Sequence, residues 1–152
     1  MDWKNLFFSP EGRIGRQAFW IGWLCLLGVN VVTGWIPLFG WALSLATIYC
    51  SVCIHNKRLH DMGQTGWWQA LPWVFGPLLV FGSVASVGIT AIAAGLKGGQ
   101  PEMAVLSAVA GMFIAIFIAF AVWLAFTLWV GFSLGQPGDN KYGPAPQTTV
   151  MI

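Results

Sequence analysis

The chain has 152 residues, of which 57% are hydrophobic and only 8% charged, and its formal net charge is +2. A soluble domain carries about 45–50% apolar and about 25% charged residues, so a water-soluble fold of this length has nowhere to hide the apolar excess. So small a charge also leaves no electrostatic footprint for nucleic acid, which needs Lys and Arg clustered along one face.

Residues 3–8, Trp-Lys-Asn-Leu-Phe-Phe, mix aromatic and polar side chains and fit a segment lying along a membrane interface. Ser9-Pro10-Glu11 then predicts a helix start, with Ser as N-cap, Pro at the first helical position and an acid in the first turn. On that helix Arg13 and Arg16, three apart, share one face at the membrane surface. Trp20, four beyond Arg16, is placed to stack on its guanidinium.

The gaps between charges carry the strongest signal. No Asp, Glu, Lys, Arg or His lies between Arg16 and His55, between Asp61 and Lys97, or between Glu102 and Asp139. A helix crosses hydrocarbon with about 20 mainly apolar residues at 1.5 Å each. The first gap allows two crossings, with Gly34-Trp35-Ile36-Pro37 marking a reversal between them. The expectation is an all-α integral membrane four-helix bundle in a single domain, 1–146, with spans near 19–36, 38–54, 68–96 and 104–132 and a short tail, 147–152. The aromatic stretch after Arg16 runs straight into a second span, unlike a cleavable signal peptide. The long unbroken runs also exclude the alternating strands of a membrane β-barrel.

Lys4, Arg13 and Arg16 precede the first span, Lys57 and Arg58 follow the second, and Lys141 follows the fourth, while Lys97 alone sits on the opposite side. Positive charge marks the cytoplasmic side, so both termini are expected there, in a multi-pass protein of the bacterial inner membrane. Trp35, Trp41, Trp67 and Trp68 fall at the boundaries, where indole rings anchor at headgroup level.

Beyond the second span the helix is expected to continue through Lys57-Arg58-Leu59-His60-Asp61 until Gly63 ends it in a left-handed cap. Thr65 can cap the next helix, which Pro72 and Pro77 should bend, and Gly98-Gly99 with Pro101 mark the outer loop. In the fourth span Ser107, Gly111, Ala115 and Ala119 recur every four residues, a stripe that lets another helix backbone come close, within the bundle or at a dimer seam. Phe113, Phe117 and Phe120 occupy another face, turned toward acyl chains. No span carries a charge or His at its middle, where ion pathways and proton relays place one. Among the mild polar groups there, Asn30 is expected to make an interhelical hydrogen bond.

Three polar stretches carry what chemistry the chain has: Gly12-Arg13-Ile14-Gly15-Arg16-Gln17-Ala18-Phe19-Trp20, Lys57 through Trp68, and Gly138-Asp139-Asn140-Lys141-Tyr142-Gly143-Pro144-Ala145-Pro146. By the charge argument they share one membrane face. In these motifs the chain resembles the small bacterial inner-membrane family catalogued as a domain of unknown function, with YhaH- and YhaI-like members. That family shows Gly-Arg-x-x-Arg-x-x-Phe-Trp, then Arg-Arg-Leu-His-Asp-x-Gly-x-Ser-Gly-Trp-Trp, then Gly-x-Asn-x-Tyr-Gly-x-x-Pro around four spans. Here Lys57 and Thr65 stand where the family often has Arg and Ser. The resemblance implies location and fold and supplies no reaction.

The rim residues Arg13, Arg16, Arg58, His60, Asp61, Trp67, Trp68, Asn140 and Tyr142 admit two readings. In one they assemble the protein, with Asp61 paired to an arginine and the other cations anchored in headgroups. In the other, forked arginine donors bind a lipid phosphate or an acidic ligand. His60 and Asp61 are adjacent on a helix, about 100° apart, and make no catalytic dyad by themselves. Cys50-x-x-Cys53 with His60 is the candidate zinc or redox set, although a buried thiol also serves as a small apolar side chain. Mid-helix Cys25 is expected to face lipid or pack. The leading expectation is a non-catalytic accessory or interaction subunit that needs no cofactor or metal. Its partners are membrane lipids and a membrane-protein complex or a second copy of itself. The alternative is a carrier or channel for a small or lipid-like solute.

Overall fold

The computed structural model describes residues 3–36, 39–98 and 101–146. Pro37, Gly99, the Trp41 side chain and the tail 147–152 lie outside the described residues. The described chain is all-helical: α1 (Trp3–Phe8), α2 (Arg16–Thr33), α3 (Phe39–Asp61), a 3₁₀ turn (Gly66–Gln69), α4 (Ala70–Leu96) and α5 (Pro101–Phe132). A lone bridge between Asn140 and Gly143 is the extended pairing among the described residues. α2 and the greater part of α3 lie on the first uncharged gap and α4 and α5 on the other two, as expected where an apolar run must close its backbone hydrogen bonds within itself. Two stretches, Gly66–Leu96 and Glu102–Phe132, each 31 residues, are long and apolar enough to cross a membrane.

The amino-terminal helix start is corrected. Residues 9–15 are not helical, and α2 begins at Arg16 with Gly15 at its N-cap, in extended conformation and without a side-chain cap. Gly12 takes a φ of +92°, which breaks any helix there, so Arg13 and Arg16 do not share a helical face. Ser9 still caps locally, its Oγ accepting from the Glu11 amide at 3.3 Å. Trp20 packs on aromatic rings, edge-on to Trp23 at 5.7 Å and tilted on Phe132 at 5.1 Å.

The expected end of α3 is found. Gly63 has a φ of +73°, its amide donates to the His60 carbonyl at 3.0 Å, and the Gln64 amide reaches back to Leu59 at 2.9 Å. These are the paired bonds of a left-handed helix cap. Thr65 Oγ1 then accepts from the Trp67 amide at 3.5 Å and starts the 3₁₀ turn, so α4 begins only at Ala70. Pro72 thus falls in the first turn of α4, where its missing N–H has no intrahelical acceptor, and Pro77 alone interrupts the helix interior.

The chain divides into two units, 1–69 with 127–152, and 70–126. In the first, α2 packs on α3 through Phe19 and Ile54, both fully buried, and α1 adds Leu6 against Gly22. Deeper between α2 and α3, Thr47 Oγ1 donates to Asn30 Oδ1 at 3.1 Å, the expected interhelical bond. In the second, the apolar windows of α4 and α5 carry no buried residue. Ser107 and Gly111 are exposed with open space beyond Gly111, Ala115 and Ala119 are half-buried, and a Cβ placed on Gly76 would lie 3.9 Å from that of Ala119. Phe113, Phe117 and Phe120 are exposed.

Candidate functional site

The three polar motifs meet in the first unit. The left-handed Gly12 turns the chain so that residues 13–15 run extended past the carboxyl end of α3, and this brings Arg13 onto Asp61, 48 positions away. Arg13 Nε and Nη2 donate to Asp61 Oδ1 at 3.1 and 3.0 Å. The other carboxylate oxygen, Oδ2, accepts from Nη1 of Arg58, one helical turn earlier. Asp61 thus lies between two guanidiniums. The side chains of Arg13 and Arg58 are each 1% exposed and that of Asp61 is 5% exposed.

What remains of each guanidinium goes to backbone carbonyls. Arg13 donates to Gln136 and Gly138 at 2.7 Å each and to Gly143 at 3.3 Å. Arg58 donates to Val130 at 3.2 Å, to Ile14 at 3.3 Å and to Ser133. The Gln136 amide donates to the Asp61 carbonyl at 2.7 Å, closing the contact from the other side. A buried charge is tolerated when it is paired and hydrogen-bonded; both guanidiniums are paired with Asp61, Arg13 making five bonds in all and Arg58 four. Burial pulls the Arg58 guanidinium below its ordinary range, and the Asp61 carboxylate pushes back.

Asn140 and Tyr142 complete the contact. Asn140 Nδ2 donates to the His60 carbonyl at 2.9 Å, while its Oδ1 accepts from the Tyr142 amide at 2.9 Å, an Asx turn. That turn lays the Tyr142 ring flat on the His60 imidazole, centroids 3.8 Å apart and planes 3° apart. The opposing carbonyl of Gly12, 3.3 Å from His60 Nδ1, can only accept, so Nδ1 carries the proton. Burial lowers the His60 pKa below its ordinary value, and Lys141 lowers it further against the Gly12 bond.

A second clamp holds α1. Lys57, 2% exposed, donates Nζ to the Asn5 carbonyl and, at 2.7 Å, to Asn5 Oδ1. Asn56 Nδ2 donates to the Pro10 carbonyl at 2.9 Å and Tyr49 OH to that of Phe8 at 3.1 Å. The remaining rim residues face outward: Arg16 is exposed, Trp67 is 81% exposed, and Trp68 is exposed with an edge contact to Trp129. Cys50 and Cys53 are buried and Cys25 is exposed. His60 is engaged with Tyr142 and Gly12, and no group of three His, Cys, Asp or Glu side chains converges among the described residues.

Arg13, Arg58, His60, Asp61, Asn140 and Tyr142 thus lie in one contact network, with every segment drawn from a motif. A family model described as "Protein of unknown function (DUF805)" matches residues 7–144. The chain belongs to this family. The DUF805 match covers the first two polar motifs and the third as far as Pro144, and two curated relatives are similar to part of the chain. Both are named "Uncharacterized protein YiiR", one from Escherichia coli strain K12 and one from Escherichia coli O157:H7. Each is 37% identical over 91 residues, covering 52% of this chain and 59% of the relative. The chain therefore spans less than two thirds of the length of these relatives. No solved structure matches.

Residues outside the motifs also line this contact network. Gly135 has the Asp61 carboxylate where a Cβ would stand, and Gly131 has the Trp20 and Phe19 rings there. Val130 and Ser133 contribute carbonyls to Arg58, and Gln136 contributes its carbonyl to Arg13 and its amide to the Asp61 carbonyl, backbone groups that no side-chain pattern advertises. The glycines four apart at the end of a long apolar run were the available sign.

Proposed function

We propose that this chain is a non-catalytic accessory or interaction subunit of the bacterial inner membrane, in which each of α2, α3, α4 and α5 crosses the bilayer and both termini face the cytoplasm. The observation that carries this reading is the pairing of Arg13 and Arg58 with Asp61 and with backbone carbonyls. Charged groups engaged in this way hold three stretches of chain together, and all five donors of Arg13 are taken. A soluble helix of the length and composition of α4 or α5 would bury its apolar window, and theirs are not buried. On the proposed inner side the outward groups are Arg16, Trp67 and Trp68, with Lys141 over the Tyr142 ring at 4.9 Å. Exposed cations and exposed indoles suit lipid headgroups, or the acidic juxtamembrane surface of a partner subunit.

Single cysteines at Gly98, Gln64 and Lys4, in a background without Cys25, Cys50 and Cys53, test the topology by labelling in intact and opened spheroplasts. The proposal expects Gly98 to label from outside and the other two only after opening. Labelling of all three from one side would overturn it. For the interaction role, Arg16→Ala combined with Trp67→Ala should leave the fold intact and lower the co-purified lipid or partner. An unchanged complement on both counts removes that role.

A further inference from the structure

His60 stands where three stretches of chain meet. Its own helix carries Asp61 and Arg58, the 9–15 segment presents the Gly12 carbonyl with Arg13 beside it, and the carboxyl-terminal segment presents Tyr142 and Lys141. The segment from Gln136 to Pro146 is held at four places: the Gln136 amide on Asp61, the Gln136, Gly138 and Gly143 carbonyls on Arg13, Asn140 on the His60 carbonyl, and Tyr142 on the His60 ring. Three of these contacts are made by polar backbone or by charge. The Tyr142 stack is the single contact made by a group that changes charge near neutral pH.

We propose that residues 136–146 form a strap across the Arg13–Asp61–Arg58 ion pairs, latched by neutral His60 and loosened when His60 takes a proton, so that acidification frees Arg13. A proton on His60 brings a second cation to a ring that already carries the Lys141 ammonium at 4.9 Å. The carboxylate that would welcome it, Asp61, is fully engaged by Arg13 and Arg58. The new charge is therefore half-buried among like charges, which disfavours the closed strap. Opening removes the three strap carbonyls from Arg13, leaving its fork with Asp61 on one side and open donors on the other, a geometry suited to phosphate or carboxylate oxygens.

The sign follows from the direction of the shift. The His60 pKa is lower in the fold than in the open chain. The latch is therefore complete above about pH 6.5 and is lost as pH falls through the folded value. One proton allows the opening constant to rise by at most about tenfold per pH unit.

The measurement is amide hydrogen exchange of the full chain in lipid nanodiscs at pH 7.5 and 5.5, read at Gln136, Tyr142 and Gly143, for wild type, His60→Gln and Lys141→Gln. Comparing variants at one pH cancels the intrinsic chemical rate. We expect wild-type strap protection to fall several-fold on acidification relative to His60→Gln, which keeps a donor toward Gly12 but cannot titrate. Lys141→Gln, on the exposed strap, should show a smaller acid effect. Equal pH dependence in wild type and His60→Gln overturns the latch, as does a steeper acid response in Lys141→Gln. The latch is a property of the first unit alone, so its failure leaves the topology proposed above untouched.

Discussion

Replacing Asp61 with Asn keeps the side-chain shape and removes one negative charge from between two buried guanidiniums. Asp61 accepts three charge-assisted bonds, two from Arg13 and one from Arg58. At about 1.5–3 kcal/mol each these set a ceiling that is not reached in practice, since the bonds share one carboxylate. Removing one partner of a buried pair costs about 3–5 kcal/mol, because the remaining charge stays buried without compensation. Here two cations remain, and the carbonyls that solvate them argue for the middle of that range. At about 2–4 °C per kcal/mol for a chain of this size, a loss of about 4 kcal/mol should lower thermal unfolding in detergent by about 8–16 °C. The loss should be local as well, with residues 9–15 and 133–146 becoming sensitive to limited proteolysis while α4 and α5 stay protected. The coupling between Arg13→Gln and Asp61→Asn should be about 1–3 kcal/mol in a double-mutant cycle. Glu102→Gln, at the exposed start of α5, serves as control. If Asp61→Asn unfolds within 1 °C of wild type with unchanged proteolysis, the ion pairs do not hold the segments together.

Gly135→Ala places a methyl group where the Asp61 carboxylate stands and should destabilise the protein by about 1–3 kcal/mol, in the thermal assay used for Asp61→Asn. An increase in melting temperature would show that the carboxylate is free to move. Thr47→Val deletes the bond to Asn30 between α2 and α3 and should cost about 0.6–1.7 kcal/mol, read by steric-trap or chemical unfolding in a bilayer mimetic. A neutral result means the pair contributes nothing beyond helix packing.

Several features were legible in the residues because their physics is local. An uncharged run must close its own backbone hydrogen bonds, so the helices lie where the charge gaps are. Gly63 ended α3 as expected because the left-handed cap requires a residue without a Cβ. Asn30, one amide in an apolar run, had to find a partner, and Thr47 on the neighbouring helix is that partner. The helix start at Ser9 failed because the cap pattern is weak beside the demand of Arg13 on Asp61, a contact between residues far apart in the chain.

The order of helices and the presence of three polar motifs follow from residue types alone, since burial and backbone satisfaction depend on what each stretch is made of. The use of the motifs was decided by the folded chain. Arg13 and Arg58 could have faced headgroups or each other's counter-charge, and they are turned inward by carbonyls of Val130, Ser133, Gln136, Gly138 and Gly143. Every residue owns a carbonyl, so an acceptor of this kind leaves no trace in the side-chain pattern, and only the path of the backbone in space reveals it.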